Sequence, residues 1–159
     1  MTPARRRPRR AALKSTIDVA VESRVPQRLV SSRRARDIVR QALRQAGVRR
    51  AMVSVTFVSG RSIAQLNRMH LGKNGATDVI TFAFAPAANG APLVADVYIA
   101  PDVARANARD YNVGAREEIV RLLIHGALHA AGLEHPETDD RIRSAMWRRQ
   151  ERLVRAALR

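Results

Sequence analysis

The chain has 159 residues, a length that buries roughly 70% of its unfolded surface with no help from a disulfide or a metal. It contains no cysteine, which excludes disulfide frameworks, thiol catalysis, iron–sulfur clusters and cysteine zinc fingers and leaves His, Asp and Glu as the only ligands for a metal. Its 29 basic residues against 14 acidic ones give a net charge of +15, and all but Lys14 and Lys73 of the basic ones are arginine, a field that favours phosphate-bearing partners.

Residues 1–13 carry Arg5, Arg6, Arg7, Arg9 and Arg10 around Pro3 and Pro8, a pattern of like charge and proline that predicts a basic disordered arm ahead of a single domain over 14–159. Ile17, Val19 and Val21 alternate as in a half-buried strand. Ser32 is placed to cap a helix with Ala35, Ile38, Val39, Ala42, Leu43 and Ala46 on one face, stopped by Gly47. Val53, Val55 and Phe57 form a second strand, and Ser62 is placed to cap a short helix through Ile63, Leu66 and Met69. After a turn over Gly72–Gly75, Asp78–Phe84 reads as a third strand, and a loop over Pro86–Pro92 leads to a fourth, Val94–Ile99. Pro101 suits the first turn of a helix running to about Asn112. A further helix spans about Ala115–Ala131 with Gly132 as its left-handed stop, and another starts near Thr138 or Asp139 and runs to the C-terminus. This order predicts an α+β fold, a small mixed sheet covered mainly on one face by helices.

No apolar run approaches the ~18 residues of a membrane span, and Ala11–Glu22 is too charged for a signal-peptide core, so a soluble cytoplasmic protein is expected. Neither G-x-x-x-x-G-K-[ST] nor G-x-G-x-x-G occurs, so no nucleotide cofactor is expected.

Three of the four histidines fall between His125 and His135 in the spacing H-x3-H-x5-H. His125 and His129 leave one face of a helix a turn apart, and a reversal at Gly132 brings His135 back to meet them. Three imidazoles at a helix end suit one tetrahedral Zn2+ per chain with its fourth position open to water, the arrangement of catalytic rather than structural sites. Glu134 is placed to orient a histidine as an outer partner or to stand in solvent, rather than to bind the metal. The spacing equals the metzincin pattern H-E-x-x-H-x-x-G-x-x-H, but the glutamate that acts there as general base is Gly126 here, which counts against a metallopeptidase. Close helix packing or tolerated drift both account for a glycine at 126. With no protein base evident, hydroxide at the metal or a hydroxyl of the substrate has to serve.

At these residues the chain resembles a known family. His125-Gly126-Ala127-Leu128-His129-Ala130-Ala131-Gly132-Leu133-Glu134-His135 is similar to the H-G-x-L-H-L-x-G-x-D-H signature of the YbeY-type rRNA maturation endoribonucleases. Leu66-Asn67, Gly72-Lys73 and Thr77-Asp78-Val79-Ile80-Thr81-Phe82 resemble its L-N-x-x-x-R-G-K…T-[DN]-V-L-S-F block, and Asp96-Val97-Tyr98-Ile99 its G-D-I-x-I strand. The resemblance implies a four-stranded, mostly parallel sheet with about five helices and a zincin-like metal helix. It also implies a zinc-dependent, single-strand-specific endoribonuclease acting in 16S rRNA 3′-end processing and ribosome quality control. Its partners would be ribosomal RNA and the small ribosomal subunit, with Arg68, Lys73 and Arg121 as candidate RNA contacts.

The chain departs from the family pattern at Glu134, Ala130, Ala95, Ala83 and, most consequentially, Leu71, where the family has an arginine before G-K. Arg68, His70 and Lys73 are the candidates to replace that charge. Leu71 supports the alternative of a zinc-containing, ribosome-associated RNA-binding factor with weak or no catalysis.

Overall fold

Alternation in the sequence becomes alternation in burial: β1 (Thr16–Ser23) buries Ile17 and Val19 and exposes Thr16, Asp18 and Ala20. The structure, a computed structural model, describes residues 15–159, and the arm expected over 1–13 lies outside them. After β1 come α1 (Ser32–Gln45), β2 (Arg50–Phe57), α2 (Gly60–Leu71), β3 (Val79–Phe84), β4 (Leu93–Ile99), α3 (Pro101–Asp110) and α4 (Ala115–Ala130). A 3-10 turn over Asp139–Arg143 then leads to α5 (Ala145–Leu158).

The strands lie in the order β1-β2-β4-β3, with β1 parallel to β2, β2 parallel to β4, and β3 antiparallel to β4. Ile17, Val19, Val53, Val55, Val97 and Ile99 point to one face, where α1 and α4 bury their apolar sides on them. On the other face Ile80, Phe82 and Tyr98 meet Ile63 and Leu66 of α2. The fold is α+β, as expected, with a four-stranded mixed sheet and five helices.

Three helix starts differ from expectation. Ser31, not Ser32, caps α1 by accepting from the Arg34 N–H at 3.1 Å, and Ser59, not Ser62, caps α2 by accepting from the Ser62 N–H at 3.1 Å. A capping residue sits in extended backbone one step before the helix, and each start offers two serines, of which only the earlier has that geometry. The final helix does not begin at Thr138 or Asp139. The chain makes the 3-10 turn there and resets at Ser144, whose hydroxyl accepts from the Trp147 N–H at 3.1 Å to start α5.

α4 is buried almost all round and crosses the sheet over β3 and β4. A Cβ at Gly126 would lie 2.7 Å from Val97 Cγ1 and 3.2 Å from Thr81 Oγ1. Close packing is therefore the reason for glycine here, and it sets the depth at which the helix holds its histidines.

Candidate metal centre

α4 ends on a Schellman turn. The Leu133 N–H donates to Leu128 C=O at 3.0 Å and the Gly132 N–H to His129 C=O at 2.9 Å, with Gly132 at φ 85°. Leu133 packs against the main core, which anchors the reversed chain. His135 is thereby returned to the two histidines of the helix. The ring centroids are 4.5 Å apart for His125 and His129, 5.2 Å for His125 and His135, and 5.0 Å for His129 and His135. Each residue offers a ring nitrogen within 4.8 Å of the others, and this is the only such group of three among the described residues.

Each ring has a partner on its Nδ1 side. His125 Nδ1 lies 2.8 Å from Gln150 Oε1 and His135 Nδ1 lies 2.8 Å from Pro136 C=O; both partners only accept, so both rings carry the proton on Nδ1. His129 Nδ1 lies 3.5 Å from Glu134 Oε2. The arrangement leaves Nε2 of His125 and of His135 as the free lone pair, the pattern of metal-binding histidines whose other nitrogen is hydrogen-bonded. Burial lowers the pKa of His125 to about 4, with the neighbouring His129 and His135 adding to the effect. Burial also lowers His129, against the opposing pull of Glu134. Both rings therefore stay neutral and able to ligate at pH 7. Three neutral imidazoles without thiolate fit a divalent transition metal.

Gln150 is 1% exposed, and its Nε2 donates to Glu151 Oε1 at 3.2 Å. Glu151 in turn accepts from Arg121 Nε at 2.8 Å. Expected from the sequence among the RNA contacts, Arg121 is instead 15% exposed and gives its guanidinium to three carboxylates, with Glu118 at 2.7 Å and Glu117 at 2.8 Å completing the set. Burial raises the Glu118 carboxyl above its ordinary range despite Arg121. At Glu151 burial works the same way but is outweighed by the hydrogen bonds from Arg121 and Gln150, which hold it low. Arg121 is thus neutralised in place, one step behind the metal ligands.

The remaining candidates lie at the end of α2. Arg68, His70 and Lys73 are exposed. His70 sets its ring edge-on to Phe82 at 5.4 Å, and Lys73 pairs with Glu137 at 3.6 Å, tying the turn after α2 to the loop after His135. Leu71 is 47% exposed and brings no charge. No glutamate fits at 126, where even a Cβ has no room, so the peptidase chemistry of the metzincin pattern has no base here. Gln150 was not singled out from sequence. Its signal is a polar residue on the apolar stripe Met146–Gln150–Val154 of α5.

Comparison with known proteins agrees with this geometry. A family model described as Endoribonuclease YbeY matches residues 20–157. Among curated relatives named Endoribonuclease YbeY, that of Anaeromyxobacter sp. (strain Fw109-5) is 36% identical over 145 residues, covering 89% of this chain and 76% of its own. That of Bacillus subtilis (strain 168) is 32% identical over 130 residues, covering 76% and 82%. The solution structure of a Thermotoga maritima protein is similar at a TM-score of 0.60 and 25% identity, over 87% of this chain and 88% of that one.

Proposed function

The chain belongs to the endoribonuclease YbeY family, hydrolases of RNA phosphodiester bonds, and from that premise we propose that it is a zinc-dependent enzyme cutting single-stranded RNA during ribosomal RNA maturation. The observation that carries the metal part of this reading is the His125–His129–His135 cluster, with an Nδ1 partner for every ring. His125, His129 and His135 would hold one zinc through Nε2. Zinc bound there supplies a polarised phosphoryl oxygen and a water of lowered pKa, near about 7.

The chain's own residues do the rest. Gln150 fixes the His125 ring, Pro136 fixes His135, and Glu134 faces His129. Arg68 and Lys73, exposed at the end of α2, would meet phosphates flanking the scissile one, where counterion release favours binding. Arg121 acts behind the site by holding Glu151 and, through it, Gln150. The charge of +15 supports an RNA partner. Processing at the 16S rRNA 3′ end, quality control, association with the small ribosomal subunit and a cytoplasmic setting complete the proposal and rest on the family resemblance. Among the described residues no helix is long and apolar enough to cross a membrane.

One observation favours a second reading. With Leu71 exposed and uncharged, a factor that binds RNA and metal without cutting remains the rival. Incubating metal-loaded protein with a 16S rRNA precursor separates the two: cleavage lost in His125→Ala supports the enzyme, and tight binding with full metal content but no cleavage supports the rival.

A further inference from the structure

Between α3, α4 and α5 lies a cleft of about 340 Å3 that shares His125 with the metal centre. Its charge runs against that of the molecule. Asp78, Glu118 and Glu151 line it together with two arginines; Arg121 is engaged with Glu118 and Glu151, which leaves Asp78 as the lining carboxylate outside that cluster. A phosphate entering this space would meet the Asp78 carboxylate and an arginine already engaged with carboxylates, whereas the rest of the chain attracts phosphate.

The walls suit a flat ring instead. Tyr111, 64% exposed, and Trp147 both line the cleft, with the Arg141 guanidinium 5.7 Å from the Trp147 ring centroid. Aromatic side chains of this kind stack on any nucleobase. The polar side is more selective. Asp78 Oδ2 accepts from Asn107 Nδ2 at 2.9 Å, but Oδ1 has only the Thr77 hydroxyl at 3.5 Å, which leaves a carboxylate oxygen with capacity to accept. The volume is at the low end of the range for small-molecule pockets, enough for a base with its sugar and too little for a folded element.

We propose that this cleft is the subsite for one nucleobase of the RNA, the base adjoining the phosphate at the metal, and that it favours cytosine and adenine, which carry an amino group at N4 or N6 where uracil carries a carbonyl. The inference rests on the RNA-cleaving reading above. Cytosine N4 and adenine N6 donate, and each would satisfy Asp78. Uracil presents its O4 acceptor at the corresponding edge and would set oxygen against carboxylate. Asp78 therefore acts as a filter on sequence, while the arginines elsewhere bind phosphate without regard to it.

Trp147 is the only tryptophan in the chain, so its fluorescence reports from the cleft wall. Metal-loaded full-length protein is titrated with cytidine, adenosine and uridine, which carry no phosphate to engage the metal, and binding is cross-checked by equilibrium dialysis. Cytidine and adenosine are expected to bind roughly tenfold more tightly than uridine, the scale of one hydrogen bond to a charged acceptor. Asp78→Asn should close that gap, and Tyr111→Ala, at an exposed position, should weaken all three. Single-stranded oligonucleotides differing only in the base beside the cut should follow the same order.

Equal binding of the three nucleosides, or none by either method, overturns the inference. So does preferential binding of arginine amide, which would assign the cleft to a basic peptide. Discrimination among nucleosides by a protein that cuts no RNA would sink the cleavage reading and leave the subsite standing. RNA cut without base preference by a protein that binds no nucleoside would do the reverse.

Discussion

Two helices of this molecule end at a left-handed glycine and lead to different results. α2 stops on Gly72 at φ 63° and α4 on Gly132 at φ 85°, each a left-handed glycine with open space around it. Past Gly132 the chain reaches His135, whose ring joins two others and is hydrogen-bonded at Nδ1. Around Gly72 stand Arg68, His70, Leu71 and Lys73, all exposed, and the ion pair of Lys73 has both partners more than half in solvent. The turn supplies a reversal and no more. What separates the two ends is the kind of support from elsewhere in the fold: α5 brings the buried Gln150 to His125, whereas the end of α2 meets the Phe82 ring at His70 and an exposed ion pair at Lys73.

The contrast breaks most simply by removing one side chain from each end. His125→Ala should empty the site and lower RNA cleavage by more than ~100-fold, since loss of an outer partner alone costs about 10–100-fold. Lys73→Ala, at a mostly exposed pair, should cost only a few-fold by weakening phosphate contact. Metal analysis beside a cleavage assay reads both, and equal losses would dissolve the distinction.

Support from α5 is tested by Gln150→Leu, which keeps approximate volume and removes the acceptor. Metal affinity, measured against a competing chelator, should fall about 10–100-fold with the fold intact. Gln150→Glu retains an acceptor and should retain most of the affinity.

Burial of the ligands predicts a pH dependence in metal-stripped protein. His125 titrates near 4 when folded and near its ordinary value of 6.5 when unfolded, so between these values the unfolded chain binds more protons. Stability is therefore full above pH 6.5 and declines as pH falls toward 4, by up to about 3 kcal/mol. Thermal melts across this window check the sign, and a flat profile would show His125 to be solvated.

Smaller effects follow. Gly126→Ala should lower stability by up to about 2 kcal/mol, because crowding of Val97 costs about 1–3 kcal/mol and the gain in helix propensity returns about 1. Leu71→Arg should raise kcat for RNA cleavage a few-fold without altering metal content, since a guanidinium there offers paired donors to phosphate oxygens. No gain, combined with loss of activity in His70→Ala or Lys73→Ala, would show that the charge is already supplied.

What could be read from sequence was what is local. The three histidines, the reversal at Gly132 and the alternating strands depend on neighbours within a few residues, and their positions follow from helix and strand periods. Gln150 lies 25 residues from the histidine it serves, and the cleft draws on three helices, so no window along the chain contains either. The setting of Arg121 is hidden from the sequence for the same reason. Its charge is visible in the sequence, but Glu151, which helps neutralise it, arrives from 30 residues away. At the helix starts the ambiguity was chemical: paired serines at 31–32 and at 59 and 62 have identical side chains, and only backbone geometry chooses between them.

The hydrogen bond from His125 to Gln150 also couples two events that look separate. His125 belongs to α4 and its acceptor to α5, so an ion that needs the ring in its observed pose binds better when α5 is docked. Reciprocity then requires the ion to hold α5 down by the same free energy. Amide protons of residues 145–158 should therefore exchange more slowly in the metal-loaded protein, although none of those residues would touch the metal. The ion, in these terms, is a fastener for a helix that contributes no ligand.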